Sequence, residues 1–192
     1  MEREFQGIQS TKVFQKSYDI ILSLTTESEL SKAYSDLCGK SPYRSSRGNN
    51  YILVAYHYDT NAILVEPLKN RNANTIVTTW KNILSCITLT GNRPNTWILD
   101  NEVSTHLKSA FSKEEINYQL VPPHCHQANA SKRAIQTFKG HFKFILALLD
   151  PDFPVTEWDR FLPQAELTLN MLRISRCNPN LSAHAYLFGQ FD

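Results

Sequence analysis

The run Trp97-Ile98-Leu99-Asp100-Asn101-Glu102, entered through Gly91-Asn92-Arg93-Pro94-Asn95, decides how this chain is read. An apolar run bounded by Gly, Pro and Asn is a buried strand, and Asp100 stands where that strand leaves the core. In open α/β sheets the carboxyl ends of strands line the functional crevice, so a carboxylate there is half held by the sheet and half offered to solvent. Asp and Asn are also favoured helix caps, and Glu102-Val103-Ser104-Thr105 leads into a helix, so a capping role for Asp100-Asn101 stays open beside the chemical one.

Upstream, Ser31-Lys32-Ala33-Tyr34-Ser35-Asp36 is a second short strand ending in an acid, closed by the breakers Gly39-Lys40-Ser41-Pro42. Tyr51-Ile52-Leu53-Val54-Ala55-Tyr56-His57-Tyr58 is rich in β-branched and aromatic residues, Asp59-Thr60-Asn61 turns the chain, and Ala62-Ile63-Leu64-Val65-Glu66 returns. The apolar spacing then changes to Ile76, Trp80, Ile83 or Leu84, and Ile87, which is helical and ends at Gly91. Downstream of Asp100, a helix through Leu107, Ala110 and Phe111 precedes a last strand, Asn117-Tyr118-Gln119-Leu120-Val121, stopped by Pro122-Pro123. The order β-β-β-α-β-α-β followed by helices predicts a mixed five-stranded sheet flanked by helices, the order of the ribonuclease H-like fold. Asp36 and Asp100 would then end the first and fourth strands, side by side. Such a pair suits a hard divalent cation, which takes few carboxylates and keeps its waters.

The rest is helical. Ile135, Phe138, Phe142, Ile145 or Leu146, and Leu149 form an apolar stripe, while Lys132, Gln136, Lys139 and Lys143 form a polar one, so one face packs and the other displays positive charge. Trp158, Phe161, Leu162, Ala165, Leu169 and Leu172 predict another helical face with Pro163 near its start or at a kink, and Leu181–Gly189 is expected to pack back on it. Trp80, Trp97 and Trp158 read as core anchors, Cys38 and Cys86 as small core residues. Residues 1–30 are the least legible. The predicted organisation is a poorly defined flank over 1–30, a core over 31–150 and a helical extension of the same unit over 151–192.

At 192 residues, with 42% hydrophobic and 20% charged side chains, the chain suits one soluble domain, or one domain with an appendage. Its net charge of +2 is unevenly spread: Ile116 to Leu149 holds Lys132, Arg133, Lys139 and Lys143 and no acid, whereas Asp150 to Asp192 is acidic. The first stretch invites polyanions. Four scattered cysteines without a C-x-x-C pair fit reduced thiols inside a cell, and neither a signal peptide nor a membrane-length apolar run is visible. The expectation is a soluble intracellular protein with no membrane partner and no small-molecule cofactor; a nuclear location is not written in the sequence. His124-Cys125-His126 has zinc-ligand types at a spacing too tight for one tetrahedral ion.

Taken together, Tyr34-Ser35-Asp36-Leu37, Ser45-Ser46-Arg47-Gly48-Asn49-Asn50-Tyr51-Ile52, Asp59-Thr60-Asn61-Ala62-Ile63-Leu64, Ile98-Leu99-Asp100-Asn101-Glu102, Pro122-Pro123-His124 and Asn129-Ala130-Ser131-Lys132-Arg133-Ala134-Ile135 resemble the integrase catalytic core of a long-terminal-repeat retrotransposon or retrovirus-like element. The resemblance runs from about Ser31 to the end and includes Trp158-Asp159-Arg160 and Leu169-Asn170-Met171-Leu172-Arg173. It implies DNA cutting and joining by two Asp and one Glu on Mg²⁺ or Mn²⁺, with Asp36 and Asp100 as first and second acids and metal ligands. Asp59 competes with Asp36 for the first role but reads better as a turn residue. The resemblance also implies DNA contacts by Gln136 and Lys139 and pairing as a homodimer; the basic stripe adds Lys132, Arg133 and Lys143 to the nucleic-acid candidates, with an ordinary solvated face as the equal alternative for Lys139 and Lys143. Neither an amino-terminal zinc-binding domain nor a carboxy-terminal DNA-binding domain of full integrases is recognisable.

The third acid is replaced. The family pattern expects Glu where Lys132 stands, and no Asp or Glu occurs between Glu115 and Asp150, so no register slip recovers one. A Lys in the first turn faces the positive end of its helix, at a cost of about 0.3–1 kcal/mol when exposed. An ammonium near two carboxylates also repels a second metal ion and pairs with the acids itself. The expectation is an integrase-like domain of impaired catalysis, with a third carboxylate reaching in from elsewhere, such as Glu102, as the feature that would rescue it. The alternatives are a catalytically dead DNA- or protein-binding module and a decayed element fragment.

Overall fold

Strand Tyr51–His57 (β2) is buried along almost its whole length, with Leu53 and Ala55 pointing into one core and Ile52, Val54 and Tyr56 into another. A strand apolar on both faces must be covered on both, and here helices do so. Residues 31–99, 103–121 and 130–189 are described in the computed structural model, all within the unit Ser31–Asp192. The sheet order is β3-β2-β1-β4-β5, with Lys32–Leu37 as β1, Ala62–Leu68 as β3, Thr96–Leu99 as β4 and Asn117–Leu120 as β5. β1 and β2 pair antiparallel, as do β2 and β3, whereas β1–β4 and β4–β5 are parallel. This is the mixed ribonuclease H-like sheet expected from the order of elements.

On one face lie helices Ala73–Leu89 (α1) and Thr105–Lys113 (α2), carrying Trp80, Ile83, Ile87 and Phe111 onto Trp97. Trp80 and Phe111 meet edge-on at 4.4 Å, and the Trp97 indole N–H donates to Ser35 Oγ at 2.8 Å, so even the buried polar atom of this strand is satisfied. The cap of α2 is Ser104, whose hydroxyl accepts the Leu107 N–H. The capping alternative for Asp100-Asn101 is thereby corrected: the helix starts too late for them, because Ser104 supplies the acceptor.

The opposite face is covered by Ala130–Ala147 (α3), the 3-10 helix Val155–Phe161 and Leu162–Leu172 (α4), which bury Ile135, Phe138, Phe142, Trp158, Leu162, Ala165 and Leu169. Pro163 sits in the first turn of α4, where a missing N–H costs nothing. Leu172 is 78% exposed and so leaves the predicted apolar face, because α4 ends there and the chain turns at Arg173. Helix Ala183–Phe188 (α5) packs on α4 and β3 through Ala183 and Leu187. Among the described residues no helix is long and apolar enough to cross a membrane.

Two polar constructions fasten α4 and the 3-10 helix to the sheet. β3 is an edge strand, and its outward backbone groups are met by α4 side chains instead of a further strand. Glu166 accepts the Val65 N–H at 2.7 Å, Asn170 accepts the Ile63 N–H and donates to the Ile63 carbonyl, and Arg173 donates to the Asn61 carbonyl. The next outward residue, Pro67, has no N–H to satisfy. Separately, the fully buried Asp159 carboxylate accepts from Arg47 Nε at 3.1 Å and Asn49 Nδ2 at 2.6 Å, pinning the β1–β2 loop to the 3-10 helix. Burial pushes its pKa up, but the hydrogen bonds from Arg47, Asn49 and Ser45 outweigh that and hold it below the ordinary carboxylate value.

Glu166 behaves in the opposite way. Burial raises its pKa to about 7, Glu66 adds repulsion, and the Val65 N–H only partly offsets both. Folded protein thus keeps this proton where the unfolded chain, with an ordinary value near 4.5, has lost it. The contribution to stability is fully present below about pH 4.5 and is lost as pH rises through 7. Glu166→Gln, which keeps the acceptor and removes the charge, is expected to gain stability over wild type between pH 5 and 8, by no more than about 3 kcal/mol, in urea denaturation across that range. Asp159→Ala strands the buried Asn49 amide and is expected to cost about 2–3 kcal/mol; Arg47→Ala, whose side chain is 51% exposed, is expected to cost less than about 1 kcal/mol in the same assay.

Candidate functional site

Parallel pairing of β1 with β4 sets Ser35 opposite Leu99, and the residue after each is an acid. The register therefore brings the two strand ends named in the sequence side by side. Asp36 is half-buried near the end of β1, and its Oδ1 accepts the Leu37 N–H at 2.7 Å. Asp100 lies outside the described residues, as do Asn101, Glu102 and the His124-Cys125-His126 run. Asp59 occupies the β2–β3 turn, where its carbonyl accepts the Arg176 N–H, at the end of the sheet where β1 begins. Along β1 that is more than about 10 Å from Asp36, at roughly 3.3 Å per residue.

A cleft of about 840 Å³ opens at these strand ends, between the start of α1 and the segment leading into α2. Its described charged lining is Asp36, Lys40 and Arg71. Lys132 stands half-buried in the first turn of α3. Among the described residues no three His, Cys, Asp or Glu side chains are grouped to hold a metal ion. Among the described residues this cleft therefore offers one carboxylate, Asp36, beside two cations, Lys40 and Arg71. Lys40 and Arg71 were not foreseen: both lie in polar turns, and only the folded chain brings them beside Asp36.

The face of α3 opposite the core carries the predicted polar stripe. Ala134, Ile135, Phe138 and Phe142 are buried against β2, which leaves Gln136, Lys139 and Lys143 exposed along one ridge and Arg133 exposed beside it. Beneath Lys139 and Lys143 lies a second cavity of about 590 Å³, walled by the β1–β2 loop, α3 and the segment through Trp158. Cys38 lies in its wall. Burial raises this thiol to about 11, with Lys139 pulling the other way, so the Lys139 ammonium is electrostatically coupled to the cavity wall while its helix position faces solvent. Trp158 lines the same cavity and donates its indole N–H to the Tyr43 carbonyl at 2.9 Å. Tyr43 itself is 57% exposed. Sequence reasoning overlooked it, since an aromatic in a Pro/Ser loop carries no periodicity.

The motifs behind the resemblance divide cleanly. Arg47 and Asn49 on one side and Asp159 on the other, 112 and 110 residues apart, form the cluster around the buried carboxylate described above, and Asn170 caps the edge strand. They hold the fold. Asp36 and the lysine stripe stand at its open end.

No family model matches the chain, and no characterised protein matches it in sequence. Solved structures do. A chain of the simian T-cell lymphotropic virus intasome in complex with PP2A regulatory subunit B56 gamma superposes with a TM-score of 0.64 at 13% identity, over 83% of this chain and 54% of that one, so this chain matches about half of its length. The HTLV-2 integrase catalytic core domain in complex with magnesium, in its trimeric form, gives 0.59 at 16% identity over 81% and 95% of the two chains. The catalytic core domain of BIV integrase gives 0.59 at 12% identity over 81% and 92%. With its strand order, its helical layers and these likenesses, the described chain has the ribonuclease H-like fold of retroviral integrase catalytic cores.

Proposed function

We propose that this protein is an integrase-like core that holds DNA along α3 and is impaired in cutting and joining it. The supporting observation is the chemistry at the open ends of β1 and β4. Asp36 shares its cleft with Lys40 and Arg71, and the first turn of α3 carries Lys132 where the family pattern expects the third acid. Two acids, Asp36 and Asp100, would be the ancestral metal ligands. A lysine at the third position would supply by Coulomb attraction the positive charge that a second ion otherwise brings, and it offers no electron pair while protonated. What remains useful is the ridge of Gln136, Lys139 and Lys143 with Arg133 beside it, a row of donors at helical spacing in the acid-free stretch from Ile116 to Leu149.

A second reading, a core that binds protein instead, is favoured by Phe144 and Leu148, which are 62% and 70% exposed one helical turn apart at the end of α3. A pair of large apolar side chains on one ridge suits a helix-to-helix contact, including one with a second copy. The two readings separate by salt. Contacts to phosphates release counterions, whereas apolar contacts do not.

Strand cleavage and joining on labelled duplex ends with Mn²⁺ is expected to be undetectable for wild type and to appear in Lys132→Glu, then to vanish again when Asp100→Asn is added. Activity in wild type that is lost in Asp36→Asn or Asp100→Asn would overturn the impaired reading. Duplex binding is expected to fall steeply with salt, and Lys139→Ala with Lys143→Ala is expected to flatten the log–log slope by roughly 2. A flat salt response for wild type, together with a mass in size-exclusion chromatography that drops in Leu148→Glu, would favour the protein-binding reading.

A further inference from the structure

The cavity under the lysine ridge is chemically one-sided. It measures about 590 Å³, within the range of ligand-sized pockets. It runs along α3 past Phe138, Phe142 and Leu146, eight residues and so about 12 Å of helix. Phe138 and Phe142 stack on each other and Trp158 meets Phe142 edge-on, so this wall is made of rings that brace one another. The facing loop is braced too: the Tyr43 carbonyl accepts the Trp158 indole N–H, and the Thr156 carbonyl accepts the Ser46 N–H at 2.8 Å. With both sides fixed, the space is held open. Apart from Ser41 and the exposed Tyr43, its uncharged side chains are apolar, or carry a polar group that is already settled. The Trp158 N–H is taken, and burial pushes the Cys38 thiol up to about 11, so it stays protonated. A guest rich in donors and acceptors would bury them there unpaired. The mouth is the opposite. It carries the exposed Lys40, Lys139 and Lys143 against one acid, Asp150, whose Oδ1 already accepts the Asp152 N–H. Among the described residues none of these three ammonium groups is in an ion pair.

We propose that this cavity binds an aliphatic monocarboxylate of medium chain length, its tail along Phe138, Phe142 and Trp158 and its carboxylate on Lys139 and Lys143. Charge complementarity and the one-sided lining argue for this occupant together. An alkyl chain asks no hydrogen bond of the walls, and 12 Å of helix is the span of a medium-length one. Its single anion meets two ammonium groups one turn apart on α3, with Lys40 across from them. The site does not depend on α3 holding DNA, although an occupant would take two lysines from that ridge.

The test titrates the full 192-residue chain with hexanoate, octanoate and decanoate by isothermal calorimetry. Affinity is expected to rise roughly two- to four-fold with each added methylene. Octanol, with the same tail length and no charge, is expected to bind roughly ten-fold more weakly than octanoate. Lys139→Gln with Lys143→Gln changes two exposed positions and spares the core; it is expected to remove most of that difference and to leave the octanol affinity unchanged. Octanoate should also shift tryptophan emission in wild type and not in Trp158→Phe, since Trp80 and Trp97 are buried in the core on the other side of the sheet. An affinity that does not rise along the series, or an octanoate preference that survives the double replacement undiminished, would overturn the proposal. Tryptophan emission that shifts with protein concentration alone, alongside a doubled mass, would assign the cavity to a second copy and overturn it as well.

Discussion

The parallel contact between β1 and β4 is the constraint from which the remaining architecture follows. It joins an antiparallel meander to a parallel pair, and both strands are short, so backbone bonding alone leaves the junction thin. The Trp97 indole reaches across it to Ser35, and the same ring carries the aromatic cluster of Trp80 and Phe111. One side chain thereby fixes the strand pair, the seat of α1 and the seat of α2. Because a parallel pair points both carboxyl ends the same way, the ends of β1 and β4 are delivered to one edge of the sheet.

That delivery is legible in the amino-acid sequence itself. Apolar runs closed by Gly, Pro and Asn mark the strands, and a change of period from two to 3.6 marks α1 and α3. The lysine ridge is legible for the same reason: a helix with one buried stripe has no freedom in what its other face displays. Asp59 is separated from Asp36 by its place in a turn, and the antiparallel register sets the two at opposite ends of β1.

Other features are not legible, for physical reasons that differ from residue to residue. Ser104 outcompetes Asp100-Asn101 as a cap because helix starts depend on local dihedral angles that residue preference only weakly encodes. Asp159 reads as one more acid in an acidic segment. Its role depends on partners more than a hundred residues away, which no periodicity can announce. Lys40 and Tyr43 sit in a loop whose position is set by that same long-range pair, so their meeting with α3 exists only in three dimensions.

The guard on β3 carries a consequence for how copies of this protein can associate. An unprotected outer strand is a template on which another chain can be added, and then another, without limit. Glu166, Asn170 and Arg173 occupy that template with side chains, and Pro67 leaves a gap in it, so growth by strand addition is closed on this side. The opposite border of the sheet, β5, offers only four residues. Any contact between copies is thereby directed away from strand-added ribbons and onto helical surfaces.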